Sequence, residues 1–161
     1  MSFSSSLKHL ADLTATSVNE TTRAVAIAIF TEIIERTPFL TGRLASNWQC
    51  SLDSPKVGTV GIAGKLRWND KGRGALMVGI NRSAKSTAIK AAVDTLKNVE
   101  GDFRAFLANN LPYARRIEFD GWSHTKAPAG MVGVTFARVH SLVQNKIREL
   151  ASKKLQEGFL K

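Results

Sequence analysis

Apolar side chains recur at a helical interval along the first 36 residues. Leu7, Leu10, Ala11, Val18, Thr22, Val25, Ala26, Ile29, Phe30 and Ile33 fall near an i, i+3, i+4, i+7 stripe, and Phe3 to Arg36 holds no Gly or Pro. The pattern predicts a long amphipathic helix. Ser and Thr are weak helix formers, so a break is expected near Thr14–Ser17, with Asn19 capping the second part. Pro38 ends the helix, because the residue before a proline is steered away from helical geometry.

After a loop over Thr37–Arg43, the run Leu44–Leu52 reads as a strand carrying Trp48. The stretch Val57–Ile80 is different in kind. Glycines stand at 58, 61, 64, 72, 74 and 79, between short β-like runs at Val57–Ile62, Leu66–Trp68 and Ala75–Ile80, with Asn69-Asp70-Lys71-Gly72 as a turn. A β-hairpin or flexible loop projecting from the domain is expected, so that 55–82 forms a Gly-rich basic insertion. Ser83 caps a helix running to about Asn98, with Ala84, Thr87, Ala88, Ala91, Ala92 and Leu96 as its inner face. Alternation over Phe103–Asn109 predicts a strand, Pro112–Glu118 one or two helical turns, and Gly121–Gly130 a loop. Met131–Leu155 predicts a terminal helix whose first residues, MVGVTF, are β-prone. The expected fold class is α+β, with a long N-terminal helix and a C-terminal helix packed on a small, mostly antiparallel sheet.

A length of 161 residues fits one domain, 1–161. Hydrophobic residues at 43% and charged residues at 22% argue against a disordered chain or a collagen-like fibre. The longest apolar run, Ala24–Phe30, falls far short of the roughly 20 residues that cross a bilayer. No apolar segment follows a basic cluster near Met1, and Cys50 stands alone. A reduced, intracellular product with no membrane association is expected.

Charge adds more. The formal net charge is +10, and residues 37–100 hold ten basic against four acidic side chains while residues 1–36 hold three against four. Lys65, Arg67, Lys71, Arg73, Arg82 and Lys85 fall within 21 residues, with Trp68 among them. Such cations on a loop track a phosphate backbone without reading bases, and an aromatic stacks on them. An acidic protein neighbour or a solvated basic face accounts equally well for the charge.

Catalytic patterns are not found. Gly64-Lys65 fails as a phosphate loop, because Thr59 stands where a glycine is needed and Leu66 where the motif needs Ser or Thr. Gly58, Gly61 and Gly64 contain no G-x-G pair for a dinucleotide. His9, His124 and His140 are isolated, and Cys50 has no second cysteine with which to hold a zinc ion. Glu32 and Glu35 share a helix face, but Arg36 beside them marks a solvated helix end. No catalytic residue, metal or cofactor is therefore expected. A small hydrolase would need a paired acid–base site that the sequence does not display.

The segment Asn109-Asn110-Leu111-Pro112-Tyr113-Ala114-Arg115-Arg116-Ile117-Glu118-Phe119-Asp120-Gly121-Trp122-Ser123 precedes Lys126-Ala127-Pro128-Ala129-Gly130-Met131. Upstream stand Thr37-Pro38, Thr41-Gly42-Arg43-Leu44 and Ser46-Asn47-Trp48. In this order the motifs resemble the small tail-component family of tailed bacteriophages, the tail-completion, tail-terminator-like or neck proteins. The resemblance spans most of the chain apart from Pro55–Val99. It implies a non-enzymatic virion protein, made in the host cytoplasm, that joins tail tube to head connector as a ring, commonly sixfold, around the DNA channel. The basic insertion would then face packaged double-stranded DNA or a neighbouring ring. Among the motif residues Thr41, Gly42, Arg43, Trp48, Tyr113, Ala114, Arg116, Glu118, Gly121 and Trp122, specific roles are expected. Tyr113 and Trp122 are read as buried rings with bonded polar tips. Arg115 or Arg116 pairs with Glu118 or with an acidic neighbouring subunit. Gly42 and Gly121 supply turns, Pro128-Ala129-Gly130 starts the last helix, and the N-terminal helix supplies the subunit interface. A DNA-binding or DNA-packaging accessory protein is the rival expectation, on the net charge.

Overall fold

A computed structural model describes residues 3–38, 42–60 and 73–159. Helix α1 (Phe3–Arg36) leads into a short helix α2 (Arg43–Ser46) and strand β1 (Trp48–Leu52). Helix α3 (Arg73–Leu96), strand β2 (Ala105–Asn109), two short helices α4 (Ala114–Phe119) and α5 (Val132–Ala137), and helix α6 (Val139–Phe159) follow. The α+β class is as expected. The strands pair antiparallel, from Trp48 opposite Asn109 to Leu52 opposite Ala105. The long terminal helices α1 and α6 pack on each other, α3 packs along α1, and α3 in turn covers β1 and α2.

Helix α3 approaches the sheet closely because its inward positions are small. Ala88, Ala92 and Leu96, spaced four apart, are all buried. Ile33 and Ile34 of α1, Leu44, Trp48, Ala88, Leu111, Ala114, Ile117, Ala127 and Met131 form one core cluster. Each large aliphatic group in it stabilises the fold by about 1.5–3 kcal/mol through burial. Trp48 also carries a polar group into this core. Its indole Nε1 donates to Thr37 Oγ1 at 2.7 Å, and Thr37 Oγ1 donates to the Ile33 carbonyl at 3.0 Å. The end of α1 is thereby tied to β1.

Several expected boundaries are corrected. Helix α1 runs unbroken through Thr14–Ser17, so Asn19 caps nothing. The strand expected over Leu44–Leu52 starts only at Trp48, because Arg43–Ser46 forms a helical turn after Gly42, whose φ of 74° is left-handed. The second strand starts at Ala105 rather than Phe103. The β-like run Ala75–Ile80 is helical, and α3 begins at Arg73, ten residues before Ser83. The remaining runs of the expected hairpin, residues 61–72, lie outside the described residues, and 55–60 is exposed and not in a strand. Met131–Leu155 is divided at Arg138 into α5 and α6, and MVGVTF lies in helix from Val132 rather than from Pro128.

Candidate interaction surface

Helix α4 is only six residues long, too short to persist alone, so the rest of the chain must hold it. Its inner stripe does part of this. Leu111, Ala114 and Ile117 recur every three residues and are all buried. The Ala114 N–H donates to the Leu111 carbonyl at 2.9 Å and the Ile117 N–H to that of Tyr113 at 3.1 Å. At the far end, the Asp120 and Trp122 N–H groups both donate to the Arg116 carbonyl, at 3.0 and 3.4 Å. Gly121 permits this reversal with a left-handed φ of 61°.

Glu118 supplies the longer-range anchor. Its Oε2 accepts the N–H groups of Met131 and Val132 at 2.7 and 2.9 Å, and its Oε1 that of Gly133 at 2.7 Å. The first N–H groups of a helix have no acceptor within it, and a carboxylate there also meets the positive end of the helix dipole. One side chain thus fastens α4 to the start of α5. Gly130 makes the approach possible. A Cβ on it would lie 2.7 Å from the Glu118 carbonyl oxygen and 2.8 Å from its carboxyl group, and its φ is 77°. The expected pairing of Arg115 or Arg116 with Glu118 is therefore not formed, because that carboxylate is occupied by backbone donors.

With the inner stripe and Glu118 committed, Arg115, Arg116 and Phe119 face outward. The Arg115 guanidinium lies 5.7 Å from the centre of the Phe119 ring, and that of Arg116 lies 5.6 Å from Trp122. Tyr113 meets Trp122 at 6.3 Å between centroids, tilted by 59°. Phe119 is 73% exposed and Trp122 56% exposed. Trp122 is thus not the buried ring expected of it, and Tyr113 is half-buried. Burial pushes the Tyr113 phenol up, against the opposing pull of the Arg43 charge. Neither Arg115 nor Arg116 forms an ion pair among the described residues.

The basic cluster has no comparable geometry. Lys65, Arg67, Trp68 and Lys71 lie outside the described residues, as does Thr41. Arg73 is the first residue of α3, and Arg82 is exposed farther along it. Lys85 turns back onto the end of α1, donating to the Glu35 carbonyl and lying 3.9 Å from the Glu35 carboxylate. Burial pulls the Lys85 ammonium down from its ordinary range, and the Glu35 charge opposes this. Lys85 and Glu35 line a cleft of about 590 Å³ with Arg36, Pro38, Lys126, Pro128 and Val134. Glu32 does not join Glu35 there, since it pairs with Arg36 at 2.6 Å.

The segment 56–60 is fixed by side-chain amides, none of them among the expected site residues. Asn47 donates to the Arg43 and Val60 carbonyls at 2.8 and 3.0 Å and accepts the Val60 N–H at 2.7 Å. Gln49 and Asn110 both donate to the Gly58 carbonyl, and Asn110 also to that of Lys56. An Asn pair beside the strand end was the available signal for this, although its partners lie some fifty residues away. Among the described residues, no group of three His, Cys, Asp or Glu side chains is placed to hold a metal, and no helix is long and apolar enough to cross a membrane. Cys50 is half-buried, and burial pushes its thiol up while a bond with Thr95 pulls it down. No family model, curated protein or solved structure matches this chain.

Proposed function

We propose that this chain is a structural virion protein of a tailed phage, a tail-completion or neck component that forms a ring at the head–tail junction around the DNA channel. The resemblance of its ordered motifs is the basis of this reading. One observation supports it above others: the Tyr113–Trp122 motif builds a rigid outward face of arginines and aromatics, of the composition found at protein–protein contacts. The partners are further copies of the chain, commonly six by the resemblance, together with the tail tube and the head connector. No cofactor and no catalysis enter this role.

The test is to delete the protein from the phage and examine the particles, and to measure the mass of the purified chain alone and on tail tubes. Unjoined heads and tails, with a discrete ring alone or on tubes, are expected. Normal joining without the protein overturns the proposal. A second reading, an accessory protein that binds DNA without sequence preference, rests on the net charge of +10. It requires duplex binding by the isolated chain that weakens steeply with salt, and no binding at low salt removes it.

A further inference from the structure

We infer that the arginine–aromatic face of α4 docks on a second copy of this chain, against the acidic corner formed by Asp53, Glu100 and Asp102. This rests on the ring reading above and names the two surfaces that would meet. On one side stand Arg115 and Arg116, held over the exposed rings of Phe119 and Trp122. Stacking fixes the guanidinium planes and leaves their N–H edges free for carboxylates. Neither arginine has an ion-pair partner in its own chain among the described residues.

The opposite surface has the complementary composition. Asp53, Glu100 and Asp102 are exposed and make no ion pair among the described residues, and two cations share the region: exposed Arg104, and half-buried Arg23, which spends its guanidinium on the Lys97 and Val99 carbonyls at 3.0 and 3.1 Å. Of the other acids, Asp94 is engaged with Lys97, Glu149 with Lys146 and Glu35 with Lys85, while exposed Asp120 closes α4 on the arginine side. The corner is built rather than frayed. Asp53 turns with a left-handed φ of 65°, and its N–H donates to the Arg104 carbonyl at 3.2 Å. Half-buried Val99 and Phe103 lie in the same segment and offer apolar surface to Phe119 and Trp122.

The two surfaces lie at opposite ends of the sheet. The five-pair ladder runs from Trp48–Asn109, next to α4, to Leu52–Ala105, next to the acidic corner, a span of about 14 Å. Two different patches on opposite ends produce a head-to-tail contact, and such a contact closes into a ring or runs on as a filament. With a net charge of +10 on each copy, long-range repulsion opposes association, so the contact depends on these locally matched groups.

The test uses the full chain, alone and on tail tubes, with mass read by light scattering over a concentration series. Wild type is expected to form an oligomer in at least one of these settings. The Arg115→Glu/Arg116→Glu variant and the Glu100→Arg/Asp102→Arg variant should each dissociate at least about tenfold more readily, and Phe119→Ser should weaken association without altering charge. Combining the four charge reversals in one chain should restore the wild-type mass, which general damage to folding would not do. A single-chain mass for wild type in both settings overturns the inference, as does an Arg115→Glu/Arg116→Glu variant of unchanged mass or a four-fold reversal that stays dissociated. If the arginine variant keeps its oligomer and no longer joins heads to tails, the face belongs to another protein, and the joining role stands without this contact. If the masses behave as expected and joining never requires the protein, the contact stands and the proposed function fails.

Discussion

Removing the Glu118 carboxylate tests how α4 and α5 are held together. In Glu118→Ala, the N–H groups of Met131, Val132 and Gly133 lose acceptors at 2.7, 2.9 and 2.7 Å. A hydrogen bond to a charged group contributes about 1.5–3 kcal/mol, but water reaches the Gly133 end and replaces part of it. An expected loss of about 3 kcal/mol follows, a large share of the roughly 5–15 kcal/mol that stabilises an ordinary domain. Glu118→Gln keeps one acceptor oxygen but turns an NH2 group toward backbone donors, so about half that loss is expected. Gly130→Ala adds a Cβ at 2.7 Å from the Glu118 carbonyl at a φ of 77°, and should cost about 2 kcal/mol or more. In the Glu118→Ala background the same change should cost less, because the carboxyl contact at 2.8 Å is gone while the carbonyl contact stays. Urea unfolding of wild type and the four variants, compared at equal m-values, measures all of this. A Glu118→Ala loss below about 0.5 kcal/mol, or a Gln variant as damaged as the Ala variant, would refute the reasoning.

Thr37→Val leaves the buried Trp48 Nε1 donor without its acceptor and should cost about 1–3 kcal/mol in the same unfolding assay. Asn47→Ala removes the amide that brackets Val60, so trypsin should cut after exposed Lys56 several-fold faster, seen by limited proteolysis. Burial raises the Cys50 thiol above its ordinary value of 9.0, so alkylation near pH 8.5 should run slower than for a free cysteine. The same shift favours the protonated native form. Its stabilisation is complete below pH 9.0 and disappears as pH rises through the native value. Wild type should therefore lose more stability than Cys50→Ala above pH 9, which paired unfolding curves will show.

The elements that read clearly are those whose pattern is local. The Ile29, Phe30, Ile33 stripe marks α1, the alternation before Asn109 marks β2, and the turns expected over Pro112–Glu118 overlap α4. The start of α3 misleads because Leu76, Met77 and Val78 lie between Gly74 and Gly79, with Ile80 just after, and β-prone apolar residues with Gly resemble short strands. A mid-helix glycine costs only about 1 kcal/mol, and the helix with the Ala88–Leu96 face on β1 extends through Gly74 and Gly79. The predicted break at Thr14–Ser17 overweighted similar small propensity differences. At the candidate surface, Glu118 and Gly130 stand out as motif residues, but their meeting is a tertiary event across thirteen residues of chain. The exposure of Trp122 was equally hidden, since no periodicity in a loop separates an outward ring from a buried one.

Residues 111–122 divide their work by direction, and this gives the surface its physical character. Leu111, Ala114 and Ile117 turn into the core, and Glu118 turns along the surface to α5. What remains, Arg115, Arg116, Phe119 and Trp122, makes no ion pair in its own chain among the described residues and is engaged in stacking, with Trp122 also resting on Tyr113. Had these side chains served only solubility, an exposed phenylalanine and tryptophan would be poor choices, because apolar rings in water favour association. Because the backbone beneath them is fixed from two sides, little ordering is needed on contact, and more of the burial of two rings is retained as affinity. A loosened Glu118 anchor would therefore weaken association through the geometry of this face even where its own side chains are intact.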